Sequence, residues 1–303
     1  MLKSIRKSMI EFRITAIIVT YNRLEHLQKV IAAIRCQTMQ VSAIIVINNE
    51  STDGTKEWLS AQSELISIHQ ANTGGSGGFF SGTKKAMELQ NDWLWMMDDD
   101  VAPEADCLEH LLNYSDISQC LIPLHIDTNG SLLPAERWID PATARISNLF
   151  NRSYQNGKKF WFTNMGSFEG MLIHRSIVER TGFPDPRFFI MHDDLLFGLM
   201  ASRFTNLCVV ADARMQKLPV QRSAESRYRS LYFQFRNLWM LEEYLDREWP
   251  GYSAYRKRRI KLQFLYECYT IMRSSEYKSR YRAFRFLWRA FLDYKRKKAG
   301  PGF

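Results

Sequence analysis

Apolar runs alternate with amphipathic stretches along the first third of the chain. Four of the runs are predicted strands, at residues 14–20, 42–47, 65–69 and 93–97, and the first two have the apolar, mostly β-branched composition of strands buried on both faces. The stretches between them place apolar side chains at helical spacing over residues 24–36, 55–62 and 81–89. This alternation predicts an α/β architecture, in which helices flank a parallel sheet.

The remainder of the chain divides into two regions by composition. The shorter elements predicted for the first region are strands at 121–126, 171–174 and 208–211, and a helix at 194–202. From residue 222 onward the sequence is helical in period, aromatic and basic. We therefore predict a sheet-containing domain over residues 1–221 and a helical, basic, aromatic-rich C-terminal region over residues 222–303.

Charge is distributed unevenly between these two parts. The net charge of the chain is +9, but residues 222–303 carry 20 Lys and Arg against 8 Asp and Glu, a net of +12. Residues 1–221 carry 21 basic and 24 acidic residues, a net of −3. A protein that binds nucleic acid through its whole surface would be basic throughout, and no RNA-binding motif is present, so we predict no nucleic-acid partner.

The basic region ends in a segment, residues 281–294, whose apolar and cationic positions interleave. The apolar positions at helical spacing are Phe284, Leu287, Trp288, Phe291 and Leu292. The cations are Arg282, Arg285, Arg289 and Lys295. Such a helix suits an anionic membrane surface. The alternative is that its aromatic side chains pack against the first domain and its charges are merely solvated.

Cysteine usage and hydropathy bear on the compartment. The five cysteines are widely spaced, without a CxxC or a Cys/His ligand pattern, which argues against a zinc site or a disulfide framework and favours a reducing cytosol. Residues 1–13 lack the apolar core of a signal peptide, and no run reaches the ~18 apolar residues that span a membrane. We expect a cytoplasmic protein that contacts the inner face of the cell membrane peripherally.

Polar clusters follow three of the predicted strands, at residues 20–23, 48–53 and 98–100. Open α/β sheets collect functional residues at the carboxyl ends of their strands. Adjacent carboxylates repel one another unless a hard divalent cation lies among them, and residues two apart in an extended chain point to the same side. We predict that Asp98 and Asp100 share one hard divalent metal ion. The alternative, a solvated acidic turn, does not usually follow a buried run such as WLWMM.

Three further segments carry candidate chemistry. Residues 72–80 (NTGGSGGFF) form a glycine-rich loop whose amides, with the N-terminus of the next helix, can hold phosphate oxygens; the alternative is a flexible turn. Residues 48–55 (NNESTDGT) offer polar groups to a nucleotide, but they are also ideal helix caps. His192, Asp193 and Asp194 precede an apolar run and suit a general base, unless Asp193 only caps the helix.

In their order and spacing these segments resemble those of inverting family 2 glycosyltransferases with a GT-A fold. The matching segments are IIVTYNR (17–23), IIVINNESTDGT (44–55), NTGGSGGF (72–79), WMMDDDV (95–101), GSFEGMLI (166–173) and FFIMHDDLLFGLMA (188–201). The glycine-rich loop with the triple aspartate, and RYRSLYFQFRN (227–237), are particularly similar to bacterial galactofuranosyltransferases and related rhamnosyltransferases. The resemblance implies the GT-A fold, a Rossmann-like mixed sheet flanked by helices.

The resemblance also implies roles for individual residues. It assigns a Mn²⁺ or Mg²⁺ ion to Asp98 and Asp100 and the catalytic base to Asp194. It assigns the orientation of the acceptor to Asp193 and His192. The residues that it assigns to the nucleotide sugar are Thr20, Tyr21, Asn22, Arg23, Asn48, Asn49, Asp53, Gly77, Gly78, Phe79 and Asp99.

Three positions depart from the family pattern. Asn48 stands where an aspartate is usual, so it keeps hydrogen-bonding capacity without negative charge. The histidine that many relatives supply to the metal is absent from RMQKLP (214–219), where Gln216 is a weak oxygen ligand or Lys217 a fixed cation for the diphosphate. Leu196 occupies an acidic position, which weakens the expected acceptor contacts.

Together with the resemblance, these residues predict a metal-assisted inverting glycosyltransferase that builds a bacterial surface polysaccharide such as an O-antigen or capsule. The predicted donor is UDP-galactofuranose, with dTDP-rhamnose as the alternative, and the predicted acceptor is a glycan or lipid-linked glycan. A nucleotidyltransferase would favour a basic GxG-type signature near the N-terminus, and residues 14–24 contain none. The remaining alternative is a degenerate, non-catalytic sugar-nucleotide-binding subunit. It is suggested by Asn48 and Leu196, which depart from the family pattern.

Overall fold

The structure is a computed structural model that describes residues 12–133, 137–148, 157–220, 223–275 and 277–302. Residues 1–11, to which the signal-peptide prediction mainly refers, lie outside these ranges, and so does the predicted domain boundary at residues 221 and 222. Within them, no helix is long and apolar enough to cross a membrane.

Twelve strands and ten α-helices are described. The strands are β1 (Ile14–Thr20), β2 (Ala43–Asn49), β3 (Ile66–Gln70), β4 (Trp93–Asp98), β5 (Val101–Pro103), β6 (Cys120–Ile126), β7 (Leu132–Leu133), β8 (Arg137–Asp140), β9 (Arg145–Asn148), β10 (Phe160–Thr163), β11 (Met171–His174) and β12 (Leu207–Lys217). The helices are α1 (Leu24–Arg35), α2 (Thr55–Ser60), α3 (Gly74–Met87), α4 (Cys107–Leu112), α5 (Arg175–Thr181), α6 (Asp193–Ala201), α7 (Ala224–Arg236), α8 (Leu238–Glu248), α9 (Ser253–Arg273) and α10 (Arg280–Lys295).

Ten of the strands form one mixed sheet, whose main path runs β10-β12-β6-β11-β4-β1-β2-β3. The four strands β3, β2, β1 and β4 are mutually parallel, as the sequence predicts. Strand β11 is antiparallel to both of its neighbours, β4 and β6, which makes the sheet mixed. The predicted GT-A architecture is therefore confirmed at the level of the sheet and its flanking helices.

The sheet is buried on both faces, which accounts for the uniformly apolar strands. On β1, Ile14 and Ile18 pack into one apolar cluster, whereas Ile17 and Val19 pack into the cluster on the opposite face. Alternate residues of a strand point to opposite faces, so a strand that is covered on both sides must be apolar throughout.

The C-terminal helices pack on the sheet domain through helix α6. Leu195 and Leu199 of α6 share an apolar cluster with Trp239, Leu241 and Leu245 of α8. A second cluster joins α7, α9 and α10 to one another. Helix α6 is thus in apolar contact with the C-terminal region, and it begins at the HDD segment that the sequence marks as catalytic.

The glycine-rich segment is the first correction to the sequence-based expectations. It was predicted as a loop before a helix at 81–89, but helix α3 begins at Gly74 and includes the glycines. A Cβ at Gly78 would clash with the side chain of Val19, and one at Gly82 would clash with Ile17. The glycines therefore let the helix approach β1 closely, and this packing overrides their low helix propensity.

We expect Gly78→Ala to lower the free energy of unfolding by about 1–3 kcal/mol, because overpacking against Val19 outweighs the gain in helix propensity. Gly75→Ala is the matched control, since no atom lies within 4 Å of a Cβ built there. That variant should be neutral or stabilised by up to about 1 kcal/mol. Urea unfolding monitored by circular dichroism measures both values, and equal stabilities for the two variants would contradict the packing argument.

The C-terminal amphipathic helix is a second difference from expectation. Helix α10 forms where the periodicity predicts it, but Leu287 is fully buried in the helical cluster and Phe284 and Phe291 pack against it. Leu292 is also partly buried. Only Trp288 among the five predicted apolar positions is exposed. Most of the apolar face of α10 is therefore packed, as the alternative interpretation expects. It packs against neighbouring helices of the C-terminal region, however, whereas the alternative places it against the first domain.

Candidate active site

The carboxyl ends of β1, β2 and β4 meet at one edge of the sheet. Thr20 at the end of β1 lies opposite Asn48 of β2, and Val19 lies opposite Asp98 of β4. This register brings the three polar clusters of the sequence together, as expected for parallel strands.

The three consecutive aspartates point in two directions. Asp99 is 3% exposed and accepts hydrogen bonds from Thr20 Oγ1 (2.8 Å), Tyr21 N (3.3 Å) and Arg23 Nη1 (2.8 Å). Arg23 Nη1 also lies 3.3 Å from Asp100 Oδ2. Asp99 therefore ties the β1–α1 turn to the end of β4. Thr20 and Arg23 contact it through their side chains, whereas Tyr21 contacts it only through its backbone N and has an exposed side chain.

The polar residues after β2 organise the adjoining turns. Asn48 Nδ2 donates to His69 Nδ1 at 3.2 Å, and Asn49 Nδ2 donates to the carbonyl of Gly74 at 2.9 Å. Asp53 accepts from Leu24 N at 2.9 Å through one oxygen, and its other oxygen accepts from the Thr55 hydroxyl.

Asn22 joins these turns to the end of β1. Its backbone N donates to Ser51 Oγ at 2.9 Å, and its side-chain oxygen accepts from Thr52 N at 2.7 Å. Hydrogen bonds of this kind hold the ends of β1 and β2 in register, which is the structural alternative to nucleotide binding for this segment.

Asp98 and Asp100 meet a third carboxylate, which Asp99 does not join. One oxygen from each of Asp98, Asp100 and Glu169 lies within 4.8 Å of the other two. Burial, and then the charges of Asp100 and Glu169, hold the pKa of Asp98 well above its usual range. We refer to these three residues as the acidic cluster.

Lys217 is the cation nearest the acidic cluster among those the structure describes. Its Nζ forms an ion pair with Glu169 and lies 3.6 Å from Asp100 Oδ1, an oxygen that is buried without a hydrogen-bond partner in the described chain. The sequence predicted a short strand at 208–211, but β12 continues to Lys217 by pairing with β5 and β6. This longer strand brings Lys217 beside the aspartates.

A cavity of about 540 Å³ opens against the acidic cluster. Its wall includes Asp98 and Glu169 from the cluster, Gly75 at the start of α3, and the HDD segment His192–Asp194. The three residues predicted to carry catalysis therefore line the same cavity as Asp98, one of the two predicted metal ligands. Of the predicted loop residues, Phe79 lines this cavity, whereas Gly77 packs on Thr73 and Gly78 packs on Val19.

Asp194 is held at the N-terminus of α6 in a buried setting. Its Oδ1 accepts a hydrogen bond from Leu195 N at 2.7 Å. Burial, and next the negative charge of Asp193, raise the pKa of Asp194 to about 8. A carboxylate with a raised pKa takes up a proton readily near neutral pH, which is the property a general base needs.

His192 and Asp193 occupy different surroundings. His192 Nε2 donates to the carbonyl of Gln234 at 2.9 Å, and burial lowers the pKa of this imidazole. Asp193 is the first residue of α6 and is buried, which raises the pKa of its carboxyl. Leu196, in the position where the family pattern has an acid, lies in the apolar cluster between α6 and α8.

The segment that leads into the HDD residues has a strained backbone. Phe189, Met191 and His192 all adopt positive φ angles, between 68° and 70°, which costs free energy for residues other than glycine. Asn237 Nδ2 donates to the carbonyls of Phe188, Ile190 and Met191. Arg236 donates to the carbonyl of Phe188 as well. Arg236 and Asn237, the last two residues of RYRSLYFQFRN, thus hold in place the backbone that leads to Asp194.

Sequence reasoning missed two residues of this site. Glu169 comes from the turn before β11, and His125 donates through Nε2 to the carbonyl of Glu169 at 2.7 Å. Glu169 lies within the segment GSFEGMLI that carries the resemblance, and that membership was its only signal in the sequence. His125 lies on a buried strand and had no signal.

A mixed sheet of this order, with aspartates at the end of a central strand and a second acidic pair across the cavity, defines a glycosyltransferase domain of the GT-A fold. The family model for glycosyl transferase family 2 matches residues 15–182. The match covers more than half of the chain, and the chain belongs to this family.

Individual relatives agree with this assignment. Galactofuranosyltransferase GlfT1 of Mycolicibacterium smegmatis is 26% identical over 192 residues, which are 60% of this chain and 63% of that protein. The chain thus spans less than two thirds of this relative's length. GalNAc-T7, solved with UDP, GalNAc and Mn²⁺, superposes with a TM-score of 0.59 at 13% identity, over 92% of this chain and 55% of its own. S. aureus TarS 1-349, solved with UDP-GlcNAc, gives a TM-score of 0.54 at 14% identity, over 76% of this chain and 66% of its own.

Proposed function

We propose that the protein is an inverting glycosyltransferase that moves galactofuranose from UDP-galactofuranose to a glycan or lipid-linked acceptor in the synthesis of a bacterial surface polysaccharide. The observation that carries the proposal is that Asp194 lines one cavity with Asp98 and Glu169, two of the three carboxylates of the acidic cluster. The GlfT1 relative supports the choice of sugar, and the UDP bound in GalNAc-T7 and TarS supports the choice of nucleotide.

In this proposal Asp194 acts as the base. It accepts the proton of the acceptor hydroxyl while that oxygen forms a bond to the anomeric carbon, and the bond from that carbon to the diphosphate breaks. Attack and departure take place on opposite faces of the sugar, so the configuration inverts and no covalent enzyme intermediate is needed. Asp193 and His192 flank the base and orient the acceptor. The turn residues around Arg23, Asn48 and Asp53 hold the nucleotide.

Asp98, Asp100 and Glu169 are the residues that would hold a Mn²⁺ or Mg²⁺ ion. Carboxylate oxygens are the ligands these hard ions prefer, and the buried Asp100 Oδ1 without a hydrogen-bond partner fits such a ligand. The ion would neutralise charge on the diphosphate leaving group. Lys217 contributes a fixed positive charge to the same end of the cavity.

The proposal is tested by incubating the protein with a panel of nucleotide sugars and following release of the nucleoside diphosphate. UDP-galactofuranose should be hydrolysed fastest among them, and release should fall to the background rate in Asp194→Asn. Faster release from dTDP-rhamnose would favour the rhamnosyltransferase alternative. If no donor is hydrolysed although calorimetry detects UDP binding, the protein is the non-catalytic sugar-nucleotide-binding subunit and the proposal fails. It fails equally if no donor is hydrolysed and UDP does not bind, with or without Mn²⁺.

We further propose that the protein attaches peripherally to an anionic membrane through helix α9 rather than through α10. Six large apolar side chains of α9 are exposed. One is Tyr255 near its start, and the other five follow at helical spacing, namely Leu262, Leu265, Tyr266, Tyr269 and Met272. The exposed charges of the helix are all cationic, namely Lys257, Arg258, Lys261 and Arg273. We call the five apolar residues the α9 stripe. An apolar stripe flanked by cations complements an anionic lipid surface.

We expect the double variant Leu265→Glu/Tyr269→Glu to bind vesicles of phosphatidylglycerol and phosphatidylcholine at least about tenfold more weakly than the wild type, since it places negative charge on the stripe. Ile117→Glu is the control, because Ile117 is also exposed but lies in the sheet domain. Co-sedimentation at low ionic strength measures the binding. Equal loss in both variants would argue against α9 as the contact surface.

A further inference from the structure

Arg236 of α7 is fully buried and joins two parts of the chain that are distant in sequence. Its Nη2 donates to the carbonyls of Phe188 and Gly300, both at 2.9 Å, and its Nη1 donates to the carbonyl of Lys298 at 2.9 Å. In the described chain its hydrogen bonds all go to main-chain carbonyls, and burial lowers the pKa of the guanidinium. One nitrogen thus bridges the stretch before the HDD segment and the stretch after α10.

Residues 298–302, which we call the 298–302 segment, make further contacts at both ends of this bridge. Gly300 N donates to the carbonyl of Arg187 at 2.8 Å, so the segment also contacts the stretch before the HDD segment directly. The indole Nε1 of Trp239, on α8, donates to the carbonyl of Lys298 at 3.2 Å. The segment is therefore fixed between the C-terminal helices and the residues that precede the catalytic ones in sequence.

The two carbonyls that are held in this way lie immediately before the strained backbone that leads to Asp194. Arg187 and Phe188 are followed by the stretch 189–192, in which three of four residues have φ angles between 68° and 70°. Such angles persist only where the surrounding structure fixes them. The 298–302 segment therefore contributes to the set of contacts that keeps this stretch, and the base after it, in place.

The buried charge of Arg236 makes these contacts depend on one another. A buried cation is costly unless acceptors satisfy its donors. Without the 298–302 segment, Nη1 and one hydrogen of Nη2 would lose the carbonyls to which they donate. The side chain would then stay buried with unpaired donors or turn towards water, and each outcome weakens its hold on Phe188.

From these contacts we propose that the 298–302 segment is a positioning element for the base Asp194 and that it acts through Arg236. None of its residues lines the cavity at the acidic cluster, so its effect on the reaction is indirect. This inference rests on the proposed function, since it requires Asp194 to act as the base. It gives a role in the reaction to a segment that no sequence motif of the site includes.

Two glycines with the same backbone geometry supply matched variants of the full chain. Gly300 has a φ angle of 78° and Gly130 one of 79°, and the N–H of each donates one main-chain hydrogen bond. Proline lacks that N–H and fixes φ near about −65°, so it disrupts either turn. Gly300→Pro should lower kcat at least about tenfold, because a small misplacement of a catalytic group slows the reaction strongly, and it should leave the affinity for UDP unchanged. Gly130→Pro should change neither value, and equal values of kcat in the two variants would overturn the inference.

Hydrogen exchange followed by mass spectrometry reads the same effect without turnover. Peptides that cover residues 187–195 should exchange at least about fivefold faster in Gly300→Pro than in the wild type, since this stretch opens more often once it is released. The same peptides should exchange at the wild-type rate in Gly130→Pro. If no sugar is transferred, the proposed function fails while the exchange result stands. If sugar is transferred and the exchange is unchanged in Gly300→Pro, the segment does not hold this stretch and the inference is wrong.

A double variant tests whether the segment acts through Arg236. Arg236→Met removes the bridge between the two stretches and should itself lower kcat at least about tenfold. In that background Gly300→Pro should lower kcat by less than about twofold more, because the contact that it disrupts is already lost. Effects of the two substitutions that multiply would show that the segment acts by another route, and the proposal would be wrong. The comparison of Gly300→Pro with Gly130→Pro decides the positioning role even if Arg236→Met does not fold.

Discussion

Replacing Asp194 by asparagine is expected to lower kcat by about 10²- to 10⁴-fold, the usual contribution of a general base. The amide of asparagine keeps the size of the side chain but accepts no proton at neutral pH. Binding of UDP should change little, because Asp194 lies across the cavity from the proposed nucleotide site. Steady-state rates and calorimetry with UDP separate these two effects. A variant that transfers sugar at the wild-type rate would remove Asp194 from the mechanism.

The pH dependence provides an independent check on the same residue. Because burial and the charge of Asp193 raise the pKa of Asp194 to about 8, kcat/KM of the wild type should rise with pH up to about that value. The negative charge of Glu169 also raises the pKa of Asp194. A cation bound at the acidic cluster should therefore move the rise of kcat/KM to lower pH. The residual activity of Asp194→Asn should not show this rise with pH.

Stability should change in the opposite sense to activity. A carboxyl whose pKa is raised in the folded state stabilises the fold below its unfolded pKa of about 4, and this contribution is lost as pH rises towards the folded value. Asparagine carries no charge to bury at any pH. Asp194→Asn should therefore unfold at a higher temperature than the wild type at pH 9, which would exclude misfolding as the cause of its low activity.

The parts of the structure that sequence predicted well are those with local signals. Strands β1 and β4 are uniformly apolar, and their carboxyl ends carry the polar residues, so both the sheet and its functional edge follow from composition and register. The placement of Asp98 and Asp100 on one side follows from the period of an extended chain. No long-range information is needed for either result.

The parts that sequence did not predict depend on contacts between distant segments. Helix α3 begins at Gly74 because its glycines pack on β1, and helix propensity alone opposes that start. Glu169 reaches the acidic cluster only because β11 inserts beside β4. The apolar positions of α10 were recognised, but which helix is covered and which is exposed depends on how α7, α9 and α10 pack together.

Lys217 leads to the second prediction, which concerns affinity for the metal. Its ammonium group is ion-paired with Glu169 and lies 3.6 Å from Asp100 Oδ1, so it occupies the side of the acidic cluster that a cation would approach. Two unit positive charges near ~4 Å repel by roughly 4 kcal/mol at an effective dielectric constant of about 20, and a divalent ion doubles this to about 8 kcal/mol, before solvent and movement of the side chain reduce the value. We therefore expect Lys217→Met to bind Mn²⁺ about tenfold or more tightly than the wild type.

The same substitution should make activity more dependent on the metal. Without Lys217, the diphosphate of the donor loses a fixed cation, so turnover in the presence of EDTA should fall further below the metal-supported rate than it does in the wild type. Free Mn²⁺ is measured by electron paramagnetic resonance in the absence of nucleotide, which keeps the binding result independent of turnover. Lys159→Met is the control, because Lys159 pairs with Asp212 at an exposed site apart from the acidic cluster. Weaker Mn²⁺ binding in Lys217→Met would mean that the lysine organises the carboxylates for the ion instead of competing with it.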